Sequence, residues 1–172
     1  MGFEQHPDNV TAALHGGLTI AWLGDDGSPA HVRFDVHPAI VPVLAVPVDA
    51  VPTSTARTAL PAQVDFAAAA FNVSRSALLV HAMTAEPALL MEATRDRLHQ
   101  EARRAMYAPS LDLVGRLRAA GIPAAISGAG PSVIALAAAD TADAVAGLAD
   151  PSWRTIRTTV ATSGVREVPI RP

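Results

Sequence analysis

The sequence predicts an α+β fold, with helices packed on one face of a mainly antiparallel sheet. Two observations carry this. Strand patterns lead, a block of helical patterns follows, and a strand–loop–strand–helix–strand run closes the chain. Apolar residues also alternate near the start but recur at helical spacing between Val64 and Ala120.

The elements follow in order. Pro7 to His15 reads as a short helix, with Pro at its first position and Gly16-Gly17 as its stop. Leu18 to Leu23 is a strand, and Gly24-Asp25-Asp26-Gly27-Ser28 a turn. His31 to Val36 alternates, with Val32, Phe34 and Val36 on one face, as in a half-buried strand. Ile40 to Val46 is a buried strand. Ser54 to Leu60 is a short helix ended by Pro61. Val64 to Met83 is a long helix and Pro87 to Thr94 another. Ser110 to Ala120 places Leu111, Val114 and Leu117 together, and Gly121 ends it. Pro123 to Ser127 and Val133 to Ala138 are strands around a glycine loop. Thr141 to Leu148 is a helix, Thr155 to Ala161 a strand, and Val165 to Ile170 a candidate last strand.

Composition excludes several functions. All 13 basic residues are Arg, so there is no Schiff-base or phosphate-loop lysine. They are scattered through a chain of net charge −3, which does not suit a nucleic-acid binder. With no Cys, disulfides, thiol catalysis and Cys-based zinc sites are ruled out. Aromatics are 4% of residues, so the core rests on small side chains. The uncharged stretch from Ala119 to Ala139 has the length of a membrane span. Its internal glycines and prolines break a helix, and two buried strands explain it better. A soluble cytoplasmic protein is the expectation.

Three segments hold candidate chemistry. Glu4-Gln5-His6-Pro7-Asp8-Asn9 sets a His, a carboxylate and an amide at a helix start, where free N–H groups favour an anion. Ordinary capping also explains Asp and Asn there. Ser127-Gly128-Ala129-Gly130-Pro131-Ser132 lets backbone approach a ligand and form an anion nest, or makes a tight hairpin turn. The third is a pair of arginines, Arg57 after Thr53 and Arg103 after Asp96 to Ala102, whose forks suit one carboxylate. Arg75, Arg95, Arg97, Arg104, Arg116 and Arg118 read as surface or intrahelical partners. His6, Asp8 and His15 match no zinc spacing, and Ile126-Ser127-Gly128 lacks a hydrolase elbow, so no metal ligands are assigned.

Taken together, these segments resemble the GHMP kinase superfamily, and within it the homoserine kinases. Glu4-x-His6-Pro7-Asp8-Asn9-Val10 with Gly16-Gly17 resembles that family's E-G-H-P-D-N helix and the start of the strand after it. Thr53 to Pro61 resembles T-x-x-A-R-x-x-L-P, Asp96 to Arg103 resembles D-x-x-H-x-P-x-R, and Ser127 to Ser132 matches S-G-A-G-P-S. The resemblance covers nearly all of this chain and the later part of the family's length. It implies a ferredoxin-like C-terminal domain over residues 29–172, preceded by a remnant of the N-terminal domain over residues 1–28. It implies transfer of the ATP γ-phosphate to the L-homoserine hydroxyl, in threonine biosynthesis, with Mg2+. His6, Asp8 and Asn9 would then face the substrate hydroxyl and ammonium, with Asp8 and Asn9 in the catalytic role. Thr53, Arg57 and Arg103 would grip its carboxylate. Ser127, Gly128, Ala129 and Gly130 would lie against the triphosphate, Gly130 also against substrate.

The departures from the pattern shape the expectation. The P-x-x-x-G-L-G-S-S-A loop that holds ATP phosphates and the magnesium-binding Glu are absent from these residues. Gln5 stands for a usual Gly, and Glu101, for a usual Pro, is expected to compete for Arg103. The chain therefore reads as an incomplete kinase. The alternative is a stand-alone amino-acid-binding or interaction domain without kinase activity. A homodimer or aggregation through Leu18 to Val36 is expected from the exposed half-sheet.

Overall fold

The computed structural model describes residues 7–48 and 60–166, which fall into two compact units. The first comprises residues 7–36 and 160–166. Its helix α1, Asp8–His15, is capped by Pro7 at φ −78°, and the Pro7 carbonyl accepts from Thr11 N–H at 2.9 Å. Asp8 in the first turn and His15 in the last complement the helix dipole. Gly17 has φ 68°, and a Cβ there would sit 2.6 Å from the Phe34 carbonyl, so only glycine fits this exit from the helix. Strand β1, Leu18–Leu23, then pairs antiparallel with β2, Pro29–Phe34, from Leu18↔Phe34 to Leu23↔Pro29. Strand β2 starts two residues earlier than its alternation predicts. Gly24 N–H bonds the Ser28 carbonyl at 2.8 Å and closes the turn, so pairing begins at once. Arg33 stitches the unit together, donating to the carbonyls of His15 at 3.2 Å and Thr162 at 3.0 Å. Val165 and Arg166 form no strand, and the rest of that candidate strand lies outside the described residues.

The second unit is the described part of His37–Thr159. Strand β3 is Val41–Pro47, and helix α2, Phe66–Thr84, is capped by Asp65 accepting from Ala68 N–H at 3.1 Å. The predicted helix from Pro87 to Thr94 is one 3-10 turn, Pro87–Leu89, continued by α3, Leu90–Ala93. A second 3-10 turn, Glu101–Arg103, leads into α4, Arg104–Ala119. Strands β4, Ala124–Ile126, and β5, Val133–Ala137, flank the glycine loop, and α5, Ala144–Leu148, precedes β6, Trp153–Arg157.

Helix α4 begins six residues before the predicted Ser110 because it is two segments. Tyr107, at φ −146° and ψ 50°, breaks the helix between them. Pro109 then falls in the first turn of the second segment, where its missing N–H costs no bond. Strand β6 is displaced toward Trp153 because its register is set by β3, from Pro47↔Trp153 to Val43↔Arg157.

The order β–α–β–β–α–β, with sheet order β4-β5-β3-β6 and every pair antiparallel, is the ferredoxin-like arrangement. One face of the sheet is small and buried: Val43 and Ala45 on β3, Val133, Ala135 and Ala137 on β5, and Ala124 on β4. Leu113, Val114 and Leu117 of α4 and Val145 of α5 cover it. Small strand residues let the helices approach closely, which is how a chain with few aromatics fills a core. No helix among the described residues is long and apolar enough to cross a membrane.

Candidate active site

In the second unit the site is built around Asp96. Its carboxylate accepts from the backbone N–H groups of His99 at 2.8 Å and Gln100 at 2.7 Å, and from Leu98 N–H at 3.3 Å. It also accepts from Asn72 Nδ2 at 2.6 Å and lies 2.9 Å from His99 Nδ1. Burial alone pushes the Asp96 carboxyl up. The bonds from Gln100, Asn72 and His99 outweigh that and hold it at about 2. Asn72, on α2, also accepts from Arg97 N–H at 2.9 Å, so one amide braces the turn from both sides. This turn delivers Gln100 and Arg103. Gln100 Oε1 accepts the Ile126 N–H of β4 at 3.0 Å, and Arg103 is buried.

The glycine loop is tied to the same segment. Ser110 Oγ, buried in α4, donates to the Pro131 carbonyl at 2.7 Å. Gly130 has φ 80°, and a Cβ on it would meet Tyr107 Cε1 and Ile126 Cγ2 at 3.0 Å. The Tyr107 ring is thus seated on the Gly130 backbone. Burial pushes the Tyr107 phenol up, and the neighbouring Arg103 guanidinium opposes that without overcoming it. Within the loop, Ser127 N–H bonds the Ser132 carbonyl at 2.8 Å and Gly130 N–H bonds the Ser127 carbonyl at 3.0 Å. The N–H groups of Gly128 and Ala129 have no backbone acceptor among the described residues. Gly128 has φ 58° and open space beside it. Such a loop fits a phosphate oxygen or another anion.

The structure therefore brings Arg103 and the loop from Ser127 to Gly130 together through Tyr107, Gln100 and Ser110. Asp8 and Asn9 belong to the first unit, at the start of α1, where both are exposed and Asn9 N–H lies 2.9 Å from Asp8 Oδ1. His6, Thr53 and Arg57 lie outside the described residues. Glu101 is engaged with the arginine that follows Arg103 in the chain. Its carboxylate forms two 2.8 Å bonds with the Arg104 guanidinium, which hold it below its usual range. Arg118 is also unlike its sequence reading: it is half-buried, and its Nη1 donates to Thr94 Oγ1 at 2.8 Å. The arginines at 75 and 97 lie over the Phe71 ring at 4.3 and 4.0 Å.

Asn72, Gln100, Tyr107 and Ser110 were missed as parts of the site. Each acts across a distance in sequence that no local pattern reveals. Among the described residues, no group of three or more His, Asp or Glu could hold a metal ion.

Residues 75–148 match the family of GHMP kinases, C terminal. Over those residues the chain is similar to the C-terminal domain of GHMP kinases. In sequence it is similar to homoserine kinases. Those of Streptomyces avermitilis and Streptomyces coelicolor are each 49% identical over 167 residues, 97% of this chain and 54% of theirs. That of Mycobacterium tuberculosis is 47% identical over 137 residues, 78% of this chain and 43% of its own. The chain thus spans about half the length of the curated relatives it matches. The solved homoserine kinase of Cytophaga hutchinsonii shares the fold, with a TM-score of 0.81 at 23% identity over 92% of this chain and 53% of that one.

Proposed function

We propose that this chain supplies the substrate-gripping part of a homoserine kinase, which phosphorylates the L-homoserine hydroxyl in cytoplasmic threonine biosynthesis. The observation that carries the reading is the shared scaffold of Arg103 and the Ser127–Gly130 loop, in a chain 49% identical to homoserine kinases along 97% of its length. ATP supplies the phosphoryl group, and L-homoserine is the acceptor. Arg103, with Thr53 and Arg57, holds the substrate carboxylate through a bidentate fork. The N–H groups of Gly128 and Ala129 face phosphate oxygens, and Gly130 lets the substrate approach the backbone. Asp8 and Asn9 orient the hydroxyl and the ammonium, Asp8 accepting the hydroxyl hydrogen. This division suits phosphoryl transfer, which depends on positioning and charge neutralisation more than on covalent chemistry.

The test is calorimetric titration of the chain with L-homoserine, followed by a coupled assay of ADP release with ATP and Mg2+. The expected result is L-homoserine binding that Arg103→Ala weakens by about tenfold to a hundredfold. L-homoserine-dependent ADP release, from this chain or from a longer protein containing it, completes the reading. Binding with no ADP release from either form establishes an amino-acid-binding module instead. No binding of L-homoserine by either form overturns both.

A further inference from the structure

We propose that the cavity between α4 and residues 94–104 is a binding site for a small monocarboxylate with a short apolar stem, its carboxylate held by Arg118. The cavity has a volume of about 270 Å³ and is lined by none of the residues assigned above to homoserine or ATP. That volume suits a ligand smaller than a nucleotide.

The charges around it are unevenly satisfied. Asp96 is spent on the turn that it caps. Glu101 is spent on Arg104, which also pairs with Asp112 at 3.2 Å. Arg95 pairs with Glu92 at 3.3 Å. Arg118 differs from all of these. Its Nη1 donates to Thr94 Oγ1 and to the Ala124 carbonyl at 3.3 Å, and its Nη2 to the Met91 carbonyl. Every one of these acceptors is neutral, and its Nε has no acceptor among the described residues. Three neutral anchors thus fix one guanidinium in the cavity wall, and it forms no ion pair among the described residues, the Glu92 carboxylate acting on its charge only from nearby. Burial and the nearby Arg95 disfavour that charge more than the nearby Glu92 favours it, so an entering anion relieves it.

The rest of the wall selects the stem. Leu111, Val114 and Ala124 are apolar and buried. Gly115 opens the surface of α4 beside them, since a Cβ there would meet nothing within 4 Å. A glycine inside a helix is less favourable than alanine. Here it leaves the cavity its width. The one lining arginine without an ion pair, beside the apolar side chains, matches one carboxylate and a few carbons, and not a diphosphate.

The experiment is a titration of the full chain, followed by amide NMR, with pentanoate and with pentanamide as its uncharged counterpart. The expected result is saturable shifts at Thr94, Gly115 and Ala124 with pentanoate, and at least tenfold weaker binding of pentanamide. Arg118→Gln removes structural anchors and could unfold the region. Gly115→Leu is the deciding variant, because it fills the cavity from a helical position with free space. It is expected to keep the spectrum of the folded chain and abolish the pentanoate shifts. Absence of saturable shifts, equal binding of acid and amide, or unaltered binding by a folded Gly115→Leu each overturns the proposal.

Discussion

Asn72 Nδ2 donates to Asp96 Oδ1 at 2.6 Å, bridging the middle of α2 to a turn 24 residues further along the chain. The same Asn72 side chain accepts from Arg97 N–H, so its amide is fully engaged with one short segment. Replacing it by Ala removes one bond to a half-buried carboxylate and the acceptor of a backbone donor. Asn72→Ala is expected to lower stability by about 1–3 kcal/mol. A urea midpoint unchanged from the parent chain would falsify this role.

The depressed Asp96 carboxyl makes an acid-side prediction. Its folded value of about 2 lies below the ordinary 3.8, so its contribution is fully present above pH 3.8. That contribution is lost as pH falls from 3.8 through about 2. The shift corresponds to stability on the order of 2 kcal/mol. A carboxyl-carbon NMR titration should place the Asp96 midpoint near 2, and a midpoint at the ordinary value would contradict the hydrogen-bond geometry.

Two glycines of one loop should respond differently to the same change. Gly130→Ala meets Tyr107 and Ile126 at 3.0 Å in a positive-φ conformation, whereas Gly128→Ala has the positive φ but open space. We expect Gly128→Ala to cost about 1–2 kcal/mol and Gly130→Ala clearly more. Thermal unfolding of the two variants decides the order, and equal losses would remove the argument for close packing by Tyr107.

The hairpin of the first unit should make the chain associate. Ile20, Trp22 and Val32 are more than a third exposed on paired strands, with Trp22 at 48%. Such apolar hairpin surface is a template for self-association. Sedimentation velocity is expected to show dimers or larger species that grow with concentration and recede in Ile20→Thr/Trp22→Ser. A monomer at high concentration in the parent chain would rule out this surface as the contact.

Much of the architecture was legible because it depends on local chemistry. Gly16-Gly17, Gly121 and the apolar spacing of Leu111, Val114 and Leu117 placed α1 and the second half of α4 without any tertiary knowledge. The boundaries that moved did so for non-local reasons. Strand β6 takes its register from β3, and the start of α4 depends on a break at Tyr107 that nothing in its side chain announces. In the site, Asp96, Arg103 and the glycine loop were readable as a resemblance. Their physical support was not. Asn72 and Gln100 are ordinary amides until folding sets one under Asp96 and the other against Ile126. The ion pair of Glu101 with Arg104 was illegible for a related reason. Arg103 and Arg104 are adjacent in sequence, but the 3-10 turn buries the first and turns the second toward the carboxylate.

The bonds from Ile126 N–H to Gln100 and from Ser110 to Pro131 have an implication for transplantation. Loop 127–132 does not own its shape. It borrows it from a turn some thirty residues upstream and from a helix that begins with a break. Moved by itself into another scaffold, the six-residue motif would arrive without its moorings. The portable unit is the whole stretch from Asp96 to Ser132, together with the Asn72 that props its far end.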